Sequence, residues 1–289
     1  MENFKNYRAL VLYFSGTGNT HLAAKEIAKT LEDSGLSASV KSTEVFDPEE
    51  TKNYDLLFFG FPIYALRMPA FLESYAERLT PTRKKWVFIF STYGFYPGNA
   101  MKITARTLAR KGFIPIGIKG TMLPGTDGLL FIKKGSKTEE KIKNKDYTST
   151  GGMKKLKEKV SKTIHRILAE EPSRETAGEG ISLFLSPIGI ILDILFQLIY
   201  KPLEKSFKKK FYADQKCTHC RLCELICPSH NITVTQTDVL FSNKCYLCLR
   251  CIHQCPEEAI QIGKFTQKSM RYRGPDGSYH PLSILRSHE

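Results

Sequence analysis

The chain has 289 residues, 42% of them hydrophobic, and a formal net charge of +14 at pH 7. This length and composition exclude a disordered chain and leave room for two folded domains. The charge favours acidic proteins or anionic lipid as partners, and nucleic acid is disfavoured because no recognised nucleic-acid-binding motif accompanies the charge.

Apolar strands alternate with amphipathic helices through the first part of the chain. The periodicity predicts strands over residues 7–14, 36–43, 54–60, 85–91 and 113–119, and helices over residues 21–34, 69–79, 100–111 and 153–170. Nearly continuous apolar strands are typical of a sheet that is covered on both faces. The sequence therefore predicts an α/β fold with a doubly wound, five-stranded parallel sheet, whose ligands bind at the carboxyl ends of the strands.

A glycine-rich turn, with the sequence SGTGNT from Ser15 to Thr20, joins the first strand to the first helix. Its hydroxyls and backbone N–H groups lie at a helix N-terminus, which is a site for anions. The turn has neither the Gly-Lys-Ser/Thr ending of a Walker A loop nor the G-x-G-x-x-G dinucleotide pattern. We therefore predict that it binds a phosphomonoester.

Two further loops at the same edge of the sheet carry aromatic residues. Residues 60–69 read GFPIYALRMP, and residues 91–98 read STYGFYPG. Together with a phosphate turn, they suit a planar phosphorylated ligand, and FMN is the leading candidate. The aromatic side chains either contact this ligand or anchor their loops on the sheet; they are Tyr64, Tyr93, Phe95 and Tyr96.

A polar segment rich in helix breakers, residues 170–180, predicts a linker, and an apolar stretch follows over residues 181–200. Three interpretations of this stretch remain open. It is a helix packed against the protein, or a helix at a membrane interface aided by the lysines that follow, or a membrane span. Asp193 disfavours a span, because a carboxylate within the bilayer is costly.

All eight cysteines lie between Cys217 and Cys255, in two runs that each read C-x2-C-x2-C-x3-C-P. This is the bacterial two-cluster ferredoxin pattern, in which the fourth cysteine of each run ligates the other cluster. It predicts two [4Fe–4S] clusters, one on Cys217, Cys220, Cys223 and Cys255 and the other on Cys245, Cys248, Cys251 and Cys227.

Zinc sites and disulfides are the alternatives for these cysteines, and both are disfavoured. A tetrahedral zinc site has no use for the middle thiolate of a triple C-x2-C-x2-C. The residues after Met1 show no secretory signal, so we expect a reducing, cytoplasmic location where disulfides are rare. Because eight cysteines already complete both clusters, we expect His219 and His253 to lie at the surface.

These features divide the chain into four predicted parts. Residues 1–170 form the α/β domain, and residues 171–212 form the linker with its apolar and basic helical segment. Residues 213–265 form the two-cluster domain, with short strands over 231–237, 239–242 and 259–262. Residues 266–289 form a basic, aromatic tail that docks on the first domain or remains mobile.

The residues also carry a resemblance. Ser15–Thr20 resembles the flavodoxin phosphate loop T/S-x-T-G-N-T, and residues 60–69 resemble the flavodoxin loop G-x-P-x-Y-x-x-x-x-P. With two cysteine runs behind them, and Arg271-Tyr272 ahead of Pro275, the chain resembles the EFR-type ferredoxins, which are flavodoxin-ferredoxin fusions found largely in anaerobes. Arg221 and Leu249 stand where many such ferredoxin loops carry Gly.

The resemblance implies a flavodoxin-like domain followed by a small α+β two-cluster ferredoxin domain. It implies that the FMN phosphate is bound by Ser15, Thr17, Gly18, Asn19 and Thr20. It also implies that the isoalloxazine ring is bound by Pro62, Ile63, Tyr64 and Ala65, and by Thr92, Tyr93, Gly94 and Phe95.

The sequence favours an electron carrier that relays electrons between two clusters and FMN in anaerobic metabolism. Its partners are donor and acceptor proteins, with a peripheral contact on the inner face of an anionic membrane as a further expectation. The alternative is an FMN-dependent reductase that acts on a small molecule or a quinone. It has weaker support, since the only candidate proton donors are Tyr64, Tyr93 and Tyr96. A non-redox interaction module with structural clusters is disfavoured.

Overall fold

A computed structural model describes residues 7–81, 85–169, 187–277 and 279–286. The chain forms two compact units. The first contains Met1–Ser15, Thr20–Leu123 and Thr148–Asp193, and the second contains Gly16–Asn19, Pro124–Tyr147 and Ile194–Glu289. The predicted linker over residues 170–180, and the start of the apolar stretch at residues 181–186, lie outside the described residues.

The strands and helices are as follows. The strands are β1 (Arg8–Tyr13), β2 (Ser37–Ser42), β3 (Leu56–Pro62), β4 (Lys85–Tyr93), β5 (Phe113–Met122), β6 (Phe211–Ala213), β7 (Ile232–Val234), β8 (Val239–Phe241) and β9 (Ile260–Ile262). The helices are α1 (Asn19–Asp33), α2 (Ala70–Arg78), α3 (Ala100–Arg110), α4 (Lys137–Lys143), α5 (Gly151–Ala169), α6 (Pro187–Lys208), α7 (Leu222–Leu225), α8 (Arg250–Gln254) and α9 (Pro281–Arg286).

The first unit is built on a parallel sheet with the strand order β2-β1-β3-β4-β5. Val11 of β1 is level with Val40 of β2 and with Phe58 of β3. Every residue of β3 is buried, as a strand between two covered faces requires. This order is that of the flavodoxin-like doubly wound fold, so the predicted fold class is confirmed.

Helix α1 shows why the first unit folds as its periodicity predicts. Ala23, Ile27 and Leu31 recur every four residues and are fully buried. Gly35 ends the helix in the left-handed region, with a φ of 82°. Helix α1 therefore buries one apolar face within the first unit, directly after the glycine-rich turn.

The second unit contains two small antiparallel sheets. β6 pairs with β9, and β7 pairs with β8. Ile232 and Ile260, which occupy equivalent positions after the fourth cysteine of each run, are both buried in its core. Sequence reasoning missed β6, because a three-residue strand shows no periodicity.

The C-terminal tail packs inside the second unit. Lys134 N donates to Lys268 O, and Met270 N donates to Ile132 O, so the tail pairs with residues 132–134. Met270 and Tyr272 are buried with Leu129 in a small core of their own. These tail residues are therefore an integral part of the fold.

Helix α6 extends past the predicted stretch to Lys208 and contains Pro202. Its less exposed positions within the second unit include Gln197, Tyr200, Glu204 and Phe207, which recur at helical spacing along one side. The large apolar side chains lie on the other sides and are exposed; they are Ile194, Leu195, Phe196, Leu198, Ile199 and Leu203. No helix in the described ranges is long and apolar enough to cross a membrane.

Candidate functional site

The two cysteine runs have the same backbone conformation. His219 and Arg221 in the first run have φ angles of 54° and 62°, and Leu247 and Leu249 in the second run have φ angles of 52° and 59°. A left-handed conformation costs an L-residue about 1–2 kcal/mol. The surrounding structure therefore has to hold both loops in this strained shape.

The structure brings four thiols of the first group together. Burial raises the pKa of Cys223 to about 12, and the nearby thiols of Cys255, Cys217 and Cys220 contribute to this increase. Three of these residues come from the first run and Cys255 comes from the second. We call this set, the one predicted to share a cluster, the first quartet.

A second group of thiols is assembled in the same way. Burial raises the pKa of Cys248 to about 12, and Cys245 and Cys227 raise it further. The pKa of Cys251 lies well above its usual value, chiefly because of burial, then because of Cys248, Cys245 and Cys227, and last because of Cys223 of the first quartet. We call Cys245, Cys248, Cys251 and Cys227 the second quartet; its fourth member comes from the first run.

The quartets carry the donors that iron-sulfur clusters use, which are cysteine thiolates. Among the described residues, no group of three or more Cys, His, Asp or Glu side chains is arranged to hold a single metal ion. Buried thiols with raised pKa values need a cationic group before they ionise, and an iron-sulfur cluster supplies one. The donor set therefore fits the predicted clusters.

Backbone amides donate to sulfur at matching places in the two quartets. Asn231 N lies 3.3 Å from Cys227 Sγ, and Ala259 N lies 3.3 Å from Cys255 Sγ. In both cases the donor is four residues beyond the acceptor. Hydrogen bonds to cluster sulfurs are among the factors that set the reduction potential. These donors are therefore part of the site.

His253 corrects one sequence prediction. We expected it at the surface, but its side chain is fully buried. Tyr272 N donates to His253 Nδ1 at 3.2 Å, so Nε2 carries the proton and donates to Thr126 O at 3.1 Å. Burial lowers the pKa of His253 to about 4, which keeps the ring neutral. His253 is a packing residue, and the spacing of the cysteine run gives no signal of this.

The predicted phosphate residues form a buried turn. Ser15, Thr17, Asn19 and Thr20 are all less than a tenth exposed, and Gly18 adopts a left-handed φ of 102°. Helix α1 begins at Asn19, so the N–H groups of its first turn, which have no partner within the helix, lie at this turn. A hydroxyl-rich turn at a helix N-terminus fits a phosphate group.

The Asn19 side chain is engaged by protein groups. Its Nδ2 donates to Pro124 O at 2.8 Å, and its Oδ1 accepts a hydrogen bond from the Tyr272 hydroxyl at 2.7 Å. The resemblance implied that Asn19 binds the FMN phosphate. Because both polar atoms of the side chain are occupied, its backbone N–H is the more suitable donor to a phosphate.

The two predicted ring-binding loops lie side by side in the first unit. Ile63 N donates to Thr92 O at 2.9 Å, and the hydroxyls of Thr20 and Thr92 are hydrogen-bonded at 2.8 Å. Tyr64 and Arg67 exchange backbone hydrogen bonds around a tight turn. The structure thus brings the Pro62–Ala65 segment, Thr92 and Thr20 together.

The aromatic residues of these loops differ in exposure. Phe95 is 88% exposed and Tyr96 is 44% exposed, so neither ring anchors its loop on the sheet. Tyr64 and Tyr93 are half-buried, and Gly94 is exposed. Of the two roles predicted for Phe95, anchoring its loop on the sheet is therefore excluded, and contact with a ligand remains.

Sequence reasoning missed one charged residue in the second unit. Arg250 lies between Cys248 and Cys251 and is fully buried. Its Nε donates to Gly16 O at 3.1 Å, and its Nη1 donates to Ile226 O at 2.9 Å. An arginine inside a cysteine run ordinarily indicates a solvated surface, and no spacing rule distinguishes this one.

Fold and site together define a class of protein: a chain with a flavodoxin-like α/β unit and a unit that carries eight cysteines beside two small sheets. Comparison with known proteins gives a relative. The chain is 35% identical over 112 residues to the uncharacterized protein MJ0298 of Methanocaldococcus jannaschii, which is 38% of this chain and 71% of that protein. The chain belongs to the family of MJ0298.

Two further likenesses are more distant. The chain is 27% identical over 88 residues to the uncharacterized protein MJ0749 of the same organism, and the match spans 30% of this chain and 32% of that protein. A solved flavodoxin from the domain Archaea is 18% identical, with a TM-score of 0.42, over 56% of this chain and 99% of that one. No family model matches the chain.

Proposed function

We propose that this chain is an electron-transfer iron-sulfur flavoprotein of the EFR type, which relays electrons between two [4Fe–4S] clusters and FMN in anaerobic metabolism. The proposal is supported by which thiols are neighbours: Cys255 of the second run lies near Cys223, and Cys227 of the first run lies near Cys248. Clusters transfer single electrons, whereas a flavin accepts one or two, so the combination links one-electron and two-electron chemistry. The partners are then a donor protein and an acceptor protein.

In this proposal each quartet holds one cluster. The thiols lose their protons as iron binds, because the thiolate is the metal ligand. Asn231 N and Ala259 N then donate to the sulfurs of Cys227 and Cys255, at matching places in the two loops. The residues around each quartet set its solvent access and its local charge.

The residues of the glycine-rich turn would hold the phosphate of FMN. The hydroxyls of Ser15, Thr17 and Thr20 donate to it, and the backbone N–H groups of Gly18 and Asn19 do the same at the start of α1. Residues 62–65 and 92–95 would flank the isoalloxazine ring. Phe95, exposed at the tip of its loop, is suited to cover the ring.

Anaerobic purification, followed by assays of iron, sulfide and flavin, tests the cofactor content. We expect about eight irons and one FMN per chain. Replacement of Thr20 by Val removes the hydroxyl paired with Thr92 and should weaken FMN binding about tenfold, or ~1.4 kcal/mol. Thr30→Val, in the same helix, is the matched control and should leave FMN binding unchanged. Iron without flavin would contradict the proposal.

A second candidate is an FMN-dependent reductase that acts on a small molecule or a quinone, with the clusters as electron input. The exposure of Phe95 and Tyr96 favours it, because loops with open tips admit a small acceptor. Steady-state turnover of such an acceptor without a partner protein distinguishes the candidates. Saturation kinetics would favour the reductase, and turnover that needs an added acceptor protein would favour the relay.

We also infer that α6 docks on an anionic membrane surface. Ordinary amphipathic helices turn their apolar side towards the protein. In α6 the half-buried side carries the polar Gln197 and Glu204 as well as Tyr200 and Phe207. The aliphatic Leu198 and Ile199 are each 68% exposed. Glu204 is paired with Lys208 at 2.6 Å, and lysines occupy the last turns of the helix. An apolar face with lysines at one end suits an anionic bilayer interface.

Flotation with lipid vesicles tests this docking. The protein should float with anionic vesicles at low salt and stay behind with zwitterionic ones. Leu198→Asp should abolish flotation, because it places a charge in the apolar face. Ile103→Asp, at an exposed position on α3, is the matched control and should still float. Protein that never floats, or that forms dimers through α6 instead, would contradict the docking.

A further inference from the structure

Arg250 joins three segments of the second unit through one guanidinium group. It accompanies Cys248 and Cys251 in the second run, and it is one of the largest side chains with no exposed surface. It donates to Gly16 O, to Ile226 O and, at 3.5 Å, to the hydroxyl of Tyr279. Burial of a guanidinium is costly unless its hydrogen bonds are well formed, so these contacts have a structural or functional purpose.

Two of these segments belong to the second quartet. Ile226 immediately precedes Cys227, the member of that quartet that comes from the first run. Arg250 itself immediately precedes Cys251. A single side chain therefore spans the two parts of the chain that must converge on one cluster.

The third segment is the glycine-rich turn. Gly16–Asn19 belongs to the same compact unit as the cysteines, although its neighbours in sequence belong to the first unit. Besides Arg250, the turn contacts the tail. The Tyr272 hydroxyl donates to Asn19, and a Cβ on Gly18 would lie 2.8 Å from Tyr279 Cβ and Cγ. The shape of the turn is therefore set by residues of the cysteine-bearing unit.

We propose that Arg250 is a positioning residue that couples occupancy of the second quartet to phosphate binding at Gly16–Asn19. This inference rests on the proposed function. A bound cluster fixes the loop from Cys248 to Cys251, and the guanidinium then holds Gly16 O. The adjoining N–H groups consequently point towards the phosphate. The coupling is reciprocal, so a bound phosphate stabilises the cluster by the same factor by which the cluster tightens phosphate binding.

Flavin titration separates this coupling from general damage to the fold. Flavin fluorescence gives the Kd of FMN and of riboflavin, which lacks the phosphate, for protein with full and with depleted clusters. We expect cluster depletion to weaken FMN binding at least tenfold and to leave riboflavin binding nearly unchanged. In Arg250→Gln with full clusters, FMN binding should be weakened to a similar extent, and the difference between full and depleted protein should disappear. Arg250→Lys, which keeps the positive charge, should restore part of the FMN affinity that Arg250→Gln loses.

The matched control is Arg221→Gln. Arg221 lies in the first run, is exposed and pairs with Glu224 at 2.7 Å. Its loss should leave the FMN affinity unchanged. The reciprocal measurement uses full-length protein that holds both clusters but no flavin. Adding FMN should slow the loss of iron from the second quartet to a chelator at least tenfold. Arg250→Gln should remove this effect.

The outcomes are distinct. If wild-type protein with full clusters binds no FMN, the proposed function fails, and this inference fails with it. If FMN binds but its affinity and the iron-loss rate are unaffected by Arg250→Gln, only the coupling is overturned. Equal weakening of FMN and riboflavin binding in the variant would also overturn it, because a phosphate-directed role predicts a difference.

Discussion

The two cysteine runs have the same left-handed backbone positions but differ in their surroundings. Between its second and third cysteines the first run carries Arg221 and Leu222, and the second run carries Leu249 and Arg250. The arginine of the first run is exposed and paired with Glu224, whereas the arginine of the second run is fully buried. Cys220 of the first run is also exposed, and its counterpart Cys248 is buried.

This difference shows that cysteine spacing determines the conformation of a loop but not the charges and solvent access around it. Two clusters with the same ligands and the same loop conformation still differ in reduction potential when their solvent access or the charges near them differ. A buried cation favours the more negative, reduced state of a centre beside it. We therefore expect the two quartets to hold clusters with different potentials and different stabilities.

The largest predicted effect concerns the exchange of fourth cysteines. Cys255→Ser with Cys217→Ser removes two ligands of the first quartet, so iron should fall from about eight to about four per chain. Cys255→Ser with Cys245→Ser removes one ligand from each quartet and should lower iron below that level. Iron analysis and EPR of the reduced variants provide the measurement. Loss of both clusters from the first pair, with one retained by the second pair, would show that the runs are not interlocked.

The first quartet should also lose iron faster than the second, because it is more exposed to solvent. Because Cys220 is exposed and Cys248 is buried, an oxidant or chelator should remove iron in two phases, with the first quartet at least tenfold faster. Absorbance of the clusters follows the reaction. The variant Cys255→Ser with Cys217→Ser retains only the second quartet and should show the slow phase alone. A single phase in wild-type protein would contradict the difference.

Glycine substitutions at the left-handed positions should have opposite effects in the two runs. Arg221→Gly relieves backbone strain at an exposed residue, which outweighs the loss of the surface pair with Glu224, and should stabilise the protein by about 0.5 kcal/mol. Leu249→Gly gives the same relief but removes a buried core side chain, so a net loss of about 2 kcal/mol is expected. Urea unfolding of anaerobic holoprotein checks both. Similar effects from the two substitutions would show that burial does not distinguish the runs.

The smallest predicted effect concerns a single hydroxyl. Ser229 Oγ lies 3.4 Å from Cys227 Sγ in the second quartet. Ser229→Ala removes this contact and should lower the potential of that cluster by roughly 20 mV, a fraction of a hydrogen bond's net energy. A redox titration followed by EPR resolves the two clusters, and the first quartet serves as the internal control. Equal shifts in both clusters would contradict a local effect.

Much of this architecture could be predicted from the sequence because it depends on local repetition. Each of its sequence signals is confined to a few neighbouring residues. These signals are the apolar strands, the spacing of Ala23, Ile27 and Leu31, and the glycine-rich turn. Helix α6 was expected from its apolar composition, but composition does not show which side faces the protein. The orientation of Leu198 and Gln197 follows from tertiary packing.

The remaining features depend on contacts between residues far apart in the chain. Arg250 and Gly16 are 234 residues apart, and Tyr272 and Asn19 are 253 apart. His253 is buried and hydrogen-bonded to Tyr272 and Thr126, and nothing within the cysteine run indicates these contacts. Sequence patterns identify ligands and turns, whereas the residues that hold them in place are found only in the folded chain.

The central claim is that electrons pass between the clusters and FMN within one chain. Anaerobic stopped-flow reduction with a one-electron donor, repeated at several protein concentrations, tests it most directly by following cluster and flavin absorbance together. We predict that flavin reduction contains a first-order step whose rate is independent of protein concentration. This step should be absent from a variant that lacks both quartets. Flavin reduction at the same rate in that variant, or only at a rate proportional to protein concentration, would contradict the relay.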